Sequence, residues 1–247
     1  MPMKKSTFHW YARRAHRYLG IILGVQFLAW TVGGLYFSWT NIESIRGEPL
    51  RKEAPLLHGE GPWAPLSEVI SGIKNRNSVD GLVSVQLIEI LDKPYYQIVF
   101  QSDGKERVQL ADGRSGALRP PLTRKEAIAL AQSRLVRRAE IKGVAYLTQT
   151  SAHHEYREKP LPAYAVQFGA PVNTMVYVSA ELGTVQSFRS TSWRVFDFLW
   201  MMHTMDYQGR DNFNNWLLRI FSLFGLVTIF SGFLLFWISS RKLNRLK

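Results

Sequence analysis

The chain has no cysteine. That excludes disulfides, thiolate-held iron–sulfur clusters and cysteine nucleophiles, so any metal chemistry falls to His, Asp, Glu, Met or Tyr. Acidic residues are missing from both ends: none precedes Glu43 and none follows Asp211. Charge of either sign is missing from 18–39, and 216–238 carries only Arg219. Without an internal carboxylate or lysine, these runs do not suit a proton or ion pump. Two hydrolase signatures are absent too. There is no His-Glu-x-x-His for a zinc peptidase and no Gly-x-Ser-x-Gly for a serine hydrolase.

What is present begins with those two apolar runs. Each exceeds the roughly 20 residues needed to cross a hydrocarbon core. The first leaves through Tyr36, Phe37 and Trp39 rather than through a small-x-small site, so an uncleaved anchor is expected. Lys4, Lys5, Arg13, Arg14 and Arg17 precede it; Arg241, Lys242, Arg245 and Lys247 follow the second run. These nine of the 31 basic residues carry most of the net charge of +12, and the rest of the chain stands near +3. The positive-inside rule then places both ends in the cytoplasm and the intervening part outside. The basicity needs no nucleic-acid partner, since the middle part has no basic stripe with interleaved aromatics. Gln26 and Thr31, polar inside the first run, read as interhelical hydrogen-bonders.

Between the runs the patterns become those of a water-facing α+β domain with antiparallel sheets. A short helix is expected over 66–74, then strands over 82–91, 95–101 and 106–110, with turns at Asp92-Lys-Pro and Asp112-Gly-Arg-Ser-Gly. The order recurs. Thr123 with Glu126 forms a capping box opening a helix to about Arg138. Strands follow over 143–150, 163–168 and 174–178. Local matches support a duplication: Pro94-Tyr-Tyr-Gln-Ile-Val-Phe beside Pro162-Ala-Tyr-Ala-Val-Gln-Phe, for example. The second copy carries an insert with His153, His154 and Glu155. On a regular strand, adjacent histidines point to opposite faces and do not chelate together, so a solvated insert is the default reading.

The histidines are the candidate ligands. His16 heads the first run, and the i, i+4, i+8 spacing places it on a helix face with Gly20 and Gly24. That side-chain-free strip suits a flat macrocycle or a neighbouring helix; a plain packing notch accounts for it equally. His9, seven residues earlier, is a backup. Arg13, Arg14 and Arg17 suit haem propionates, although topology alone explains them. His203 continues an apolar helix face formed by Phe196, Leu199 and Trp200 in a Trp- and Met-rich segment that reads as interfacial. Asp206 and Asp211, in an Asn-rich stretch, offer oxygen donors to ferric iron; caps and turns explain them as well. His58 stands alone in a linker and is assigned nothing.

The helix-plus-three-strand pattern resembles the PepSY module, and the whole chain resembles the PepSY-associated transmembrane-helix family. The resemblance rests on His16-Arg-Tyr-Leu-Gly20, Gly33-Gly-Leu-Tyr36, Ala127 with Ala131, Tyr164, Tyr177, Leu199-Trp-Met-Met-His203 and the Ser231-Gly-Phe stretch ending at Trp237. It implies a membrane-anchored α+β fold. Residues 1–17 form a cytoplasmic basic segment, 18–39 the first transmembrane helix, 40–120 and 121–190 two periplasmic PepSY-like repeats. An interfacial helix and loop over 191–215, the second transmembrane helix over 216–238 and a basic tail over 239–247 complete it.

The family includes inner-membrane ferric and siderophore-iron reductases with histidine-ligated haem. By resemblance the expected activity is haem-dependent reduction of periplasmic Fe³⁺ in support of ferrous iron uptake, with haem b held by His16 and His203. Quinol or a cytoplasmic reductase would be the electron donor, and a ferrous iron transporter a partner. Larger reductases of this kind have four or more spans. Two spans here imply a homodimer in the lipid bilayer, with His16 facing its symmetry mate. A haem at His16 lies far from the outer face, so a second centre near His203, or aromatic relays such as Trp30 and Tyr36, would be required. The other activity the family implies is non-enzymatic: a membrane-anchored chaperone or regulator of a peptidase or an iron transporter, bound through strand edges.

The topology is testable directly. A phosphatase or fluorescent reporter fused at Lys247 should report a cytoplasmic C-terminus, and one inserted after Gly104 a periplasmic position. A Lys247 fusion active only outside would reverse every side assignment.

Overall fold

Hydrocarbon offers backbone groups no water, so an apolar run that crosses it satisfies its N–H and C=O groups within one helix. In the computed structural model the two runs lie in the two longest helices, α1 (Lys5–Trp39) and α6 (Trp216–Leu243). Their membrane-spanning parts are His16–Trp39 and Trp216–Trp237. The structure describes residues 5–55, 57 and 61–243. His58 and the tip residues Lys4, Arg245 and Lys247 lie outside the described residues, as do the side chains of Lys5, His9, Arg241 and Lys242. Between the long helices come α2 (Ile42–Arg46), a 3₁₀ turn at Glu48–Leu50, α3 (Leu66–Lys74), α4 (Arg124–Ser133) and α5 (Thr191–Thr204). The chain divides into two units: Met1–Asn41 with Val195–Lys247, and Ile42–Arg194.

The second unit holds two antiparallel four-stranded meanders. The first runs β1 (Gly81–Ile90), β2 (Lys93–Ser102), β3 (Lys105–Asp112) and β4 (Leu118–Arg119). The second runs β5 (Ile141–Leu147), β6 (Ala163–Phe168), β7 (Met175–Ser179) and β8 (Val185–Arg189). Each meander is preceded by its helix, α3 or α4. The fourth strand of each is an addition to the three expected. β4 makes only two pairings, Leu110 with Arg119 and Ala111 with Leu118, too short to show as alternation in the sequence.

Parity explains the packing. Ile98, Phe100 and Ala111 share one face of the first sheet and receive Val69 and Ile73 of α3. Ile90 and Leu110 share the opposite face and join a core built from Ala127, Leu130 and Ala131 of α4 with Val166, Phe168, Val176 and Phe188. β2 is therefore buried on both faces, and its buried Gln97 side chain donates to the Leu182 carbonyl at 2.6 Å. The β1–β2 turn places Leu91 and Asp92 at φ 51° and 63°, the left-handed pair a two-residue hairpin requires. Leu91 accepts this because its side chain packs on the α4 core.

Two helix boundaries differ from expectation. The Thr123–Glu126 capping box is present in both directions. The helix it opens stops at Ser133 rather than near Arg138. There Leu135 bridges to Arg51, and Val136 N–H donates to the Leu50 carbonyl. A nonlocal segment has taken the backbone groups that helix continuation would use. α1 begins at Lys5, earlier than the apolar run, because helix geometry continues through residues that lie outside the hydrophobic stretch.

Gly183 joins the two halves. It sits at φ 68°, and a Cβ there would collide with the Ile90 side chain. Gly183→Ala should therefore lower stability by about 2–4 kcal/mol, combining left-handed strain with overpacking. Chemical denaturation followed by tyrosine and tryptophan fluorescence would read this; an unchanged midpoint would show that the two halves are not locked at this turn.

Candidate functional site

The first unit positions the histidines. α1 packs through residues recurring at three and four: His16, Leu19, Leu23, Gln26, Trp30, Gly33 and Phe37. Leu23, Gln26 and Gly33 are buried, while Ile21, Ile22, Val25, Leu28 and Leu35 are exposed on the remaining circumference. A 3.5-residue repeat keeps one seam on a neighbouring helix. The i, i+4, i+8 series drifts off that seam by 40° per step. So Gly20 and Gly24, expected to share the face of His16, lie beside it, and nothing comes within 4 Å of the position a Cβ would take on either.

The close approach is made instead by small residues of α6. A Cβ on Gly225 would lie 3.2 Å from Phe27, and one on Gly232 3.5 Å from His16 Cε1. Thr228 is buried between them in sequence. Contacts that rise along α6 as they fall along α1 make the pair antiparallel. Glycine, serine and threonine at such a seam let two helices meet where lipid provides no hydrophobic drive.

His16 Nδ1 lies 2.7 Å from Ser231 Oγ. The Ser231 hydroxyl donates to the Thr228 carbonyl, also at 2.7 Å. With its proton on that carbonyl, Ser231 Oγ is an acceptor for His16 in the tautomer whose Nδ1 carries the proton. In the neutral ring this makes Nε2 the lone-pair nitrogen. A histidine that donates through one nitrogen to a fixed oxygen is held in the orientation and tautomer a metal ligand needs.

His203 occupies the last turn of α5. Its ring centroid stands 6.0 Å from Trp30, 5.9 Å from Phe37 and 6.4 Å from Trp200, the last stacked at 13°. Its Nδ1 is buried with no hydrogen-bond partner. A buried ring nitrogen without a partner is costly. The α5 terminus itself is well satisfied. Gln26 Nε2 donates to the Met202 carbonyl at 2.8 Å, Trp30 Nε1 to the His203 carbonyl at 3.0 Å, and Asn215 Nδ2 to the Thr204 carbonyl at 2.9 Å. These are the carbonyls a helix end leaves unpaired. Gln26 lies thirteen residues inside the Trp39 end of α1, so the end of α5 is docked on the body of the span rather than skimming its edge. Thr31 bonds within its own helix, to Phe27. From His16 to Trp30 the rise along α1 is about 21 Å.

The other candidates have structural partners. Asp206 accepts from the backbone N–H groups of Gln208, Gly209 and Asn212 at 2.9–3.3 Å. Burial alone would raise its pKa, but these donors outweigh it and hold the carboxyl below the ordinary value. Asp211 accepts from Trp200 Nε1 at 3.0 Å. Asp197, missed in the sequence, is buried and paired with Arg210. Glu155 takes Arg194 at 2.7 Å and Tyr177 Oη at 2.8 Å, and Tyr156 stacks fully buried on Tyr177 at 4.5 Å. The insert is thus anchored rather than merely solvated. Burial raises the Tyr156 phenol to about 12, and burial with the Glu155 carboxylate pushes Tyr177 up further. His154 Nδ1 accepts from Tyr156 N–H. No group of three or more His, Cys, Asp or Glu that could hold a metal ion occurs among the described residues. Arg14 lies over Trp10 and Tyr18, whereas Arg13 and Arg17 are exposed without ion-pair partners among the described residues.

The family model of the PepSY-associated TM region matches residues 3–240, and the chain belongs to that family. No curated protein matches the chain, and no solved structure does.

Two substitutions test this geometry. Gln26→Leu leaves the Met202 carbonyl unpaired in an apolar setting and should cost about 1–3 kcal/mol, read as a lower thermal midpoint in detergent. Asp206 has a depressed folded pKa, so its contribution is present at neutral pH and fades as pH falls through that value, below the ordinary 3.8. Asp206→Asn should lower the midpoint at pH 7 and flatten its fall between pH 5 and 3; an unchanged acid profile would show that the loop carries no such stability.

Proposed function

We propose that this member of the PepSY-associated TM family is a haem-dependent ferric reductase of the bacterial inner membrane. Both termini face the cytoplasm and the α+β unit, built of two PepSY-like repeats, faces the periplasm. The observation that carries the reading is that His16 and His203 each present a ring nitrogen without a protein partner among the described residues, at two heights along α1. Haem b supplies one-electron chemistry at iron when bound. His16 offers Nε2 because Ser231 holds the proton on Nδ1. His203 offers Nδ1 within a box of Trp30, Phe37 and Trp200 that excludes water. Arg13 and Arg17 continue the open strip of Gly20 and Gly24 at heptad-like spacing, and their guanidinium groups suit propionate carboxylates.

Ferric iron is the substrate: each Fe³⁺ takes up one electron and leaves as Fe²⁺, to be used by a ferrous iron transporter. The electron comes from quinol or a cytoplasmic reductase. Two spans provide one histidine at each height, so a second copy is needed to complete each ligand pair, and the Gly20–Gly24 strip, open in the single chain, gives that copy a face for close approach.

A second reading has its own observation. Among the described residues β3 pairs with β4 only at Leu110 and Ala111, so its stretch 105–109 is an edge beside a cavity of about 530 Å³. A strand-adding partner would fit a chaperone or regulator of a peptidase or transporter.

Visible spectroscopy separates the two. With haem supplied during expression, the purified chain should show a Soret band that His16→Ala removes or shifts, while the α+β unit stays folded. Ser231→Ala should weaken haem retention by roughly 10–100-fold, the range for losing a ligand's orienting partner. His203→Ala should impair ferric reduction. A Soret band and reductase activity that survive His16→Ala would overturn the ligand assignment.

A further inference from the structure

A second cluster of charge lies in the α+β unit. Side chains from three segments, 46–51, 159 and 186–189, together with Trp193, contribute to the wall of a cavity of about 320 Å³. Arg46, Arg51, Lys159 and Arg189 contribute four positive charges to its wall, against the single carboxylate of Glu48. None of Arg46, Arg51 and Lys159 has an ion-pair partner among the described residues. Like charges gathered at this range repel, and the concavity focuses their field toward an anion.

The wall is also partly organised in advance. Arg189 lies over the Trp193 ring at 4.0 Å, and its Nε donates to the Glu155 carbonyl at 2.8 Å. Its Nη1 donates to the Phe188 carbonyl at 3.3 Å, and a guanidinium held by its face and two nitrogens presents its charge without swinging. Ser187, in the same wall, is 8% exposed, and its hydroxyl has no hydrogen-bond partner.

The cluster sits on both segments that join this unit to the apolar helices. Arg46 follows Trp39, the last residue of α1, by seven positions, at most about 25 Å of extended chain. Trp193 lies in the first turn of α5.

We propose that this cavity binds a phosphate-bearing anion, with the headgroup of an anionic phospholipid and free phosphate as its two sources. Arg46, Arg51 and Lys159 bind the phosphate oxygens, Arg189 adds a fixed charge, and Glu48 limits the net charge that the site accepts. The inference is independent of the reductase reading, since no residue of the site is a haem candidate.

The test uses the full chain in neutral detergent. Native mass spectrometry reads retention of short-chain phosphatidylglycerol against phosphatidylcholine, and calorimetry reads inorganic phosphate. The combined Arg46→Gln, Arg51→Gln, Lys159→Gln variant alters three exposed side chains, and circular dichroism checks its fold. Lys74→Gln with Arg76→Gln is the control for charge elsewhere on the unit. Saturable phosphatidylglycerol binding, weakened at least tenfold in the triple variant and unchanged in the control, supports the site. Competition by millimolar phosphate then assigns free phosphate as a sufficient ligand; failure to compete assigns the lipid headgroup. Lys159→Gln alone should weaken binding about threefold if the triple variant does not fold. Binding of neither probe, or equal loss in triple and control, would overturn the proposal.

Discussion

The chain of three groups from His16 through the Ser231 hydroxyl to the Thr228 carbonyl constrains the membrane-spanning unit more than any other contact. A serine in an apolar helix has few places to send its proton, and its own helix's carbonyl is the nearest. That local choice makes the hydroxyl an acceptor for the imidazole tautomer protonated on Nδ1, in which Nε2 holds the lone pair. It also ties α1 to α6 at the end where the basic tip begins. The small residues at 225, 228 and 232 then follow from the same requirement, since a bond of 2.7 Å between helices needs backbones that approach closely.

The opposite end of the seam obeys the same rule with different atoms. The last carbonyls of α5 have no intrahelical donors, and water is not available against an apolar span. Gln26 and Trp30 supply two of them and Asn215 a third. His203 is placed by this docking rather than by any contact of its own ring nitrogen. Positioned by backbone and boxed by aromatics, its Nδ1 is buried without a partner among the described residues, as are Arg210 Nε and Thr228 Oγ1 in the same unit.

Much of this was legible in the sequence, and the misses have identifiable causes. The two spans follow from charge-free length, and the two meanders from alternation and turn chemistry. His16 and His203 stand out because polar atoms are rare on apolar faces, and Gln26 was readable as a donor for the same reason. The partner of His16 was not legible. Ser231 was visible in a Ser-Gly pair, but nothing in one helix's spacing tells which face of another it meets. Gly20 and Gly24 lie beside the seam of His16 rather than on it because an i+4 repeat drifts from a 3.5-residue seam, and the glycines that meet the neighbouring helix are Gly225 and Gly232 of α6. Asp206 and Asp211 offered the right atoms for ferric iron, yet backbone N–H groups and the Trp200 indole hold them in the loop. β4 is too short to show as alternation, and the early end of α4 depends on pairing with Leu50 and Arg51, which local patterns do not record.

The account stands on the two unpartnered ring nitrogens being used by iron of a bound haem. The most direct measurement is the amount and ligation of haem in the unaltered chain, purified in mild detergent after expression with haem supplied. Pyridine haemochrome quantitation gives the ratio to protein, and low-temperature electron paramagnetic resonance reads the axial ligands. The account predicts stoichiometric b-type haem with low-spin, bis-histidine signals. A chain that is folded and dimeric but holds no haem, or holds it only in high-spin form, would contradict it.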